Sequence, residues 1–236
     1  MTVSRSSARE VLVIAPADFA RRTAAMIAWS ISTSVHLRGR CRLVCAGGRT
    51  PAQVYRVLAT LPHVPWEFVE VFIGDERCVA PTDAESNYGM IAESLLRTLK
   101  IPAQQIHRLR GDAGASVAAA EYNALLGDLP EPKFDLVISG VGADGHTASL
   151  FPDDARLATE TAWAITATAP PAFAIAERVG LSLRALNSTR YQLVLCVGTE
   201  KRAVRTRILA GDADAQRLPA AQLRGHERTF WIVDPD

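Results

Sequence analysis

Asp144-Gly145-His146 puts a carboxylate and an imidazole two residues apart. An imidazole changes charge nearest neutral pH, and a carboxylate beside it can orient the ring and polarise it. The pair lies within Gly140-Val141-Gly142-Ala143-Asp144-Gly145-His146-Thr147-Ala148-Ser149-Leu150-Phe151-Pro152, directly after the apolar run Phe134-Asp135-Leu136-Val137-Ile138-Ser139. That run reads as a buried strand. Glycines at its end let the backbone turn tightly and let a ligand come close. His146 is therefore a candidate general base or acid, with a buried structural histidine as the alternative.

Three other polar segments also follow apolar runs. Gly47-Gly48-Arg49-Thr50-Pro51 joins the run Arg42–Ala46 to a helix start. Free N–H groups and the helix dipole there favour an anion, and the glycines admit a phosphate. A plain turn capped by Thr50, with Pro51 in the first helical position, is the alternative. No Gly-Lys-Ser/Thr follows, so a nucleoside triphosphate is not implied. Asp75-Glu76-Arg77 follows Phe68–Ile73. Arg77 can grip a phosphate with its planar fork, and Asp75 or Glu76 can move a proton or anchor the arginine; a solvated loop would look the same. Gly198-Thr199-Glu200-Lys201 follows Gln192–Val197, and Lys201 can point at the same anion or simply at water.

The elements that must position these groups alternate. Strands are expected at Glu10–Ala15, 42–46, 68–73, 134–139, Trp163–Ala167, 192–197 and Phe230–Val233. Helices are expected at Pro16–Leu37, Thr50–Leu61, Tyr88–Leu99 (capped by Ser86), Val117–Leu126 and Thr199–Leu209; Ala176–Leu183 reads as a short strand or a helix start. This is the α/β pattern: a single domain over 10–236, its mainly parallel sheet flanked by helices on both faces, with residues 1–9 as a disordered tail. Ligands collect at the carboxyl ends of such strands, so segments 47–51, 74–77, 140–147 and 198–201 are expected at one end of one sheet.

Composition excludes several classes. A net charge of +1 gives no basic footprint for nucleic acid. No apolar run approaches the ~18 residues of a membrane helix, and the Ser/Arg-rich N-terminus lacks the apolar core of a signal peptide. The four scattered cysteines (Cys41, Cys45, Cys78, Cys196) read as buried thiols in a reducing compartment. The expectation is a soluble cytoplasmic monomer. Gly140 to Gly145 formally matches G-x-G-x-x-G, but Pro152 cuts off the long helix a dinucleotide site needs. A metal set of Asp144, His146 and Asp75 would have a single histidine. No G-x-S-x-G elbow supports Ser139 or Ser149 as a nucleophile.

From about residue 10 to the C-terminus the chain resembles the 6-phosphogluconolactonases, within the wider glucosamine-6-phosphate isomerase/6-phosphogluconolactonase superfamily. The likeness rests on the four segments above and on Ser86-Asn87-Tyr88-Gly89-Met90, Arg178-Val179-Gly180-Leu181-Ser182 and Leu186-Asn187-Ser188-Thr189-Arg190. It implies a modified Rossmann-like fold and hydrolysis of 6-phospho-D-glucono-1,5-lactone, a small sugar-phosphate substrate, without metal or organic cofactor. By the same resemblance His146 activates water and Asp144 orients it. Arg77 and Lys201 would bind phosphate beside Gly47, Gly48, Arg49 and Thr50, with Asp75 and Asn87 in the substrate site. The amino-sugar isomerase branch resembles Asp-Gly-His followed by Phe-Asn-Glu-Pro, whose glutamate serves ring opening; here Thr147 to Pro152 contains no carboxylate. A catalytically idle sugar-phosphate sensor is the other class, and intact His146 and Asp144 oppose it. The chain departs from the family at Arg49, usually Ser or Thr, and at Asp153-Asp154, where a glycine is usual.

Overall fold

The computed structural model describes residues 9–99 and 101–235. The expected tail lies outside the described residues except for Arg9, which opens the first strand. In chain order the main elements are β1 (Arg9–Val13), α1 (Pro16–Arg38), β2 (Cys41–Cys45), α2 (Arg49–Leu58), β3 (Val69–Ile73), β4 (Asp75–Arg77), α3 (Asn87–Ser94), β5 (Ile106–His107) and α4 (Ala115–Gly127). They continue with β6 (Phe134–Gly140), β7 (Ala164–Thr168), β8 (Glu177–Leu181), α5 (Leu183–Asn187), β9 (Thr189–Cys196), α6 (Arg202–Ala210) and β10 (Arg228–Val233).

Seven strands form one sheet in the order β1-β10-β9-β6-β2-β3-β5, and every pairing in it is parallel. Parallel strands need both faces covered, and the sequence supplies apolar residues on both. Leu43, Leu136, Ile138, Leu193, Leu195 and Ile232 pack on the side of α1, α2 and α3, with Ile27, Ile31, Tyr55, Leu58 and Ile91. Their neighbours Val44, Val137, Val194, Cys196 and Trp231 face α4, α6 and β8, with Tyr122, Leu126, Val204, Ile208 and Val179. Alternate residues of one strand thus serve two cores. From β2 the chain winds outward through β3 to β5, and from β6 it winds the other way through β9 and β10. The β2/β6 boundary is the topological switch point, where such sheets open a crevice beyond the strand ends. No helix among the described residues is long and apolar enough to cross a membrane.

A second, three-stranded antiparallel sheet was not expected. It has the order β4-β8-β7 and covers part of the α4 face. The chain leaves the main sheet at Gly74, whose N–H donates to Cys45 O at 3.0 Å and whose carbonyl accepts from Leu181 N at 2.8 Å. Asp75–Arg77, readable as a solvated loop, is therefore a strand, and 177–181 is a strand rather than a helix start. The expected strand at 163–167 lies in this small sheet, not the parallel one. Its register sets Arg77 opposite Arg178 and Asp75 opposite Gly180.

One buried hydroxyl holds the end of β3, from which the chain enters this turn. Tyr122 Oη accepts from Ile73 N and donates to His107 O, both at 3.0 Å. Tyr122→Phe removes the partner of the buried Ile73 N–H and of the half-buried His107 carbonyl. It should lower stability by about 1–3 kcal/mol, read as a lower urea midpoint at unchanged m; an unchanged midpoint would show the bonds to be dispensable.

Candidate active site

The expected convergence of strand ends is found. Gly47, Gly48, Arg49, Thr50, Asp75, Arg77, Asn87, His146 and Lys201 all line one cavity of about 240 Å³ at the β2/β6 switch point, and Asp144 stands behind His146. That volume suits one small metabolite rather than a large cofactor.

The loop after β6 fixes the imidazole. His146 Nδ1 lies 2.5 Å from Asp144 Oδ1, and the same oxygen accepts the His146 backbone N–H at 3.1 Å. A carboxylate on Nδ1 favours the tautomer with the proton on that nitrogen and leaves Nε2 free to accept one. The loop closes on itself: Gly142 N donates to His146 O at 2.9 Å and Gly145 N to Gly142 O at 3.0 Å, with Gly145 at φ 88°. Thr147 Oγ donates to Gly140 O at 2.8 Å, tying the loop to its strand. Gly142 is required by space, since a Cβ there would sit 2.1 Å from His146 Nδ1 and 2.6 Å from Asp144 Oδ1. The other side of the ring meets Phe151 and Phe173, at centroid distances of 5.4 and 5.5 Å.

The carboxylates after β3 are not proton carriers in waiting. Glu76 is buried and accepts four hydrogen bonds, from Arg77 N, Asn87 N, Tyr88 N and Ser86 Oγ, at 2.7–2.9 Å. It binds the N-terminus of α3, which Ser86 caps as expected by accepting from Gly89 N at 3.0 Å. Burial raises its pKa and those bonds oppose the rise. It anchors α3, not the arginine. Asp75, also buried, accepts from Ser149 Oγ at 2.7 Å and from Asn87 Nδ2 at 3.1 Å. The Ser149 proton is thereby committed, and Ser139 Oγ accepts from Gln192 Nε2 at 2.7 Å.

Cations also line the cavity. Arg77 Nη1 donates to Glu85 O at 2.5 Å. Beside it lies Arg178, which sequence reasoning quoted within a motif but did not assign to the site. Arg178 is 4% exposed, donates from Nε to Ile175 O at 3.0 Å and lies 5.4 Å from the centre of the Phe173 ring. Burial first, and the Arg77 charge after it, lower its pKa. Two neighbouring guanidinium groups in the lining favour an anion beside them, although Arg77 already has Glu85 Oε2 at 3.7 Å. Only the cross-strand register reveals this; no local signal in the sequence could.

Thr50 is not the cap of α2. Gly48 takes that position at φ 103°, so the helix starts at Arg49 and Pro51 falls in its third position. A non-glycine residue is strained at such a φ. The amides of Arg49 and Thr50, in the first turn, have no intrahelical acceptor and border the cavity. Arg49 itself is exposed at the rim. Asp153, where the family pattern has glycine, adopts φ 65°, a conformation Asp tolerates better than most residues. It and Asp154 lie outside the cavity lining. Among the described residues, no three His, Cys, Asp or Glu side chains gather as a metal set would.

The family model for glucosamine-6-phosphate isomerases/6-phosphogluconolactonase matches residues 15–231. The chain belongs to this family. Among its relatives, 6-phosphogluconolactonase of Thermotoga maritima is 37% identical over 191 residues, covering 81% of this chain and 83% of that protein. The Treponema pallidum 6-phosphogluconolactonase is 37% identical over 166 residues, covering 67% and 68% of the two chains. The crystal structure of the Thermotoga maritima family member superposes with a TM-score of 0.86 at 30% identity, over 97% of this chain and 100% of that one. The family fold is thus shared over nearly the whole length.

Proposed function

We propose that this family member hydrolyses 6-phospho-D-glucono-1,5-lactone to 6-phosphogluconate, with water activated by His146. The observation that carries the reading is the His146 Nδ1 to Asp144 Oδ1 contact of 2.5 Å beside a cavity also lined by Arg77, Arg178 and Lys201. The substrate phosphate sits against Arg77, Arg178 and Lys201 and the first-turn amides of α2, which leaves the lactone carbonyl on the His146 side. Nε2 takes a proton from water as its oxygen bonds to the carbonyl carbon. The tetrahedral intermediate then collapses, the bond to the ring oxygen breaks, and the imidazolium returns its proton to that oxygen. The new carboxylic acid ionises, so turnover releases acid. The reading assigns every role to residues of a single chain acting as a monomer, and the four free thiols suit the cytoplasm.

The rival reaction of the family, amino-sugar isomerisation, needs a carboxylate at 147–152, where none stands. The test is to follow acid release from the lactone beside ammonia release from glucosamine-6-phosphate. Catalysed acid release without ammonia is expected; ammonia alone would reverse the assignment. Arg77→Ala and Lys201→Ala should each raise KM about 10- to 100-fold, the scale of a lost charged hydrogen bond, with kcat changed far less. An unchanged KM in both variants would remove these residues from the phosphate site.

A further inference from the structure

Among the described residues, one polar atom of the Asn87 side chain has no partner, and its chemistry is fixed by its surroundings. The side chain is 3% exposed and borders the cavity. Its Nδ2 donates to Asp75 O at 2.8 Å and to Asp75 Oδ1 at 3.1 Å. Both partners only accept, so the amide cannot be flipped without setting oxygen against oxygen. Asp75 is itself held from the far side by Ser149. Asn87 Oδ1 therefore points the other way, toward the Gly47 backbone, where a Cβ on Gly47 would lie 1.9 Å from it. No donor among the described residues reaches this oxygen, and it is not among the sealed, unpaired atoms, so it opens on the cavity.

A nearly buried carbonyl oxygen needs a donor, and at the cavity face that donor is water or a group of the bound ligand. It cannot face a phosphate, which at neutral pH offers only acceptors on that scale. From this we infer that Asn87 is a specificity residue, whose Oδ1 accepts a hydrogen bond from one ring hydroxyl of the bound sugar lactone. Gly47 is then glycine so that the acceptor has room to stand there. The inference rests on the lactonase reading and adds the group that distinguishes a hydroxylated ring from a deoxygenated one.

The experiment compares kcat/KM for the parent phospholactone and its 2-, 3- and 4-deoxy analogues. The unaltered enzyme should lose about 10- to 100-fold on one analogue only, the scale of leaving a buried acceptor unpaired. Asn87→Ala should handle that analogue and the parent alike. If Asn87→Ala does not fold, Gly47→Ala, whose methyl displaces the carbonyl, should erase the same difference. A variant that slows all substrates while the unaltered ratio persists would make Asn87 merely structural and overturn the inference, as would an enzyme that singles out no analogue. Failure to hydrolyse even the parent would overturn the lactonase reading, and this inference with it.

Discussion

His146→Ala should lower kcat for lactone hydrolysis by about 10²–10⁴-fold, the usual contribution of a positioned general base. The loss should fall on kcat and leave KM nearly unchanged, because the proposed phosphate contacts, Arg77, Arg178 and Lys201, line the same cavity and do not include the imidazole. The fold should survive. The loop is closed by main-chain bonds between Gly142, Gly145 and His146 and by Thr147 Oγ on Gly140 O, none of which uses the imidazole. What the variant loses is the Nδ1 contact with Asp144 and ring contact with Phe151 and Phe173. Circular dichroism and a denaturant curve close to those of the unaltered protein, together with the loss of kcat, are the expected pair of results. A near-normal rate would remove His146 from the chemistry.

Gly142→Ala should be almost as damaging although it adds only a methyl group. That methyl would lie 2.1 Å from His146 Nδ1, 2.2 Å from its Cε1 and 2.6 Å from Asp144 Oδ1. The ring must rotate away and break its 2.5 Å contact with Asp144. The imidazole then remains present but is neither held in one tautomer nor aimed at the cavity. We expect kcat to fall at least about 10²-fold, the lower end of the general-base effect, with KM little changed. The comparison separates having a histidine from having it placed. Steady-state kinetics near those of the unaltered enzyme would show that the Asp144 contact does not matter.

The elements that could be read from the sequence share a physical signature. Leu136 to Ile138 and Leu193 to Cys196 are apolar on both faces, as a sheet covered on both requires, and so stand out as buried strands. Pro16 and Gly39, at φ 73°, mark the two ends of α1. What escaped was set by tertiary structure. Asp75 and Glu76 could be read as functional or as a solvated loop, and their burial was not legible because Ser149, Asn87, Tyr88 and Ser86 supply their donors from other segments. Arg178 reached the site through the pairing of β4 with β8, and a strand as short as Asp75–Arg77 has no periodicity to announce it. The cap of α2 was misplaced because Thr50 fits the local preference, whereas Gly48 is selected by a positive φ that no propensity reports.

The central claim is that water, rather than a protein carboxylate, attacks the lactone carbonyl. Asp75 and Asp144 both lie close enough to His146 or the cavity for the alternative to be a real one. The most direct test is a single turnover with enzyme in excess in ¹⁸O-labelled water, stopped before uncatalysed hydrolysis contributes, with the product examined by mass spectrometry. Attack by water activated at His146 predicts one ¹⁸O in the carboxylate of 6-phosphogluconate from the first turnover. Unlabelled first-turnover product, with the label found instead in Asp75 or Asp144, would contradict it.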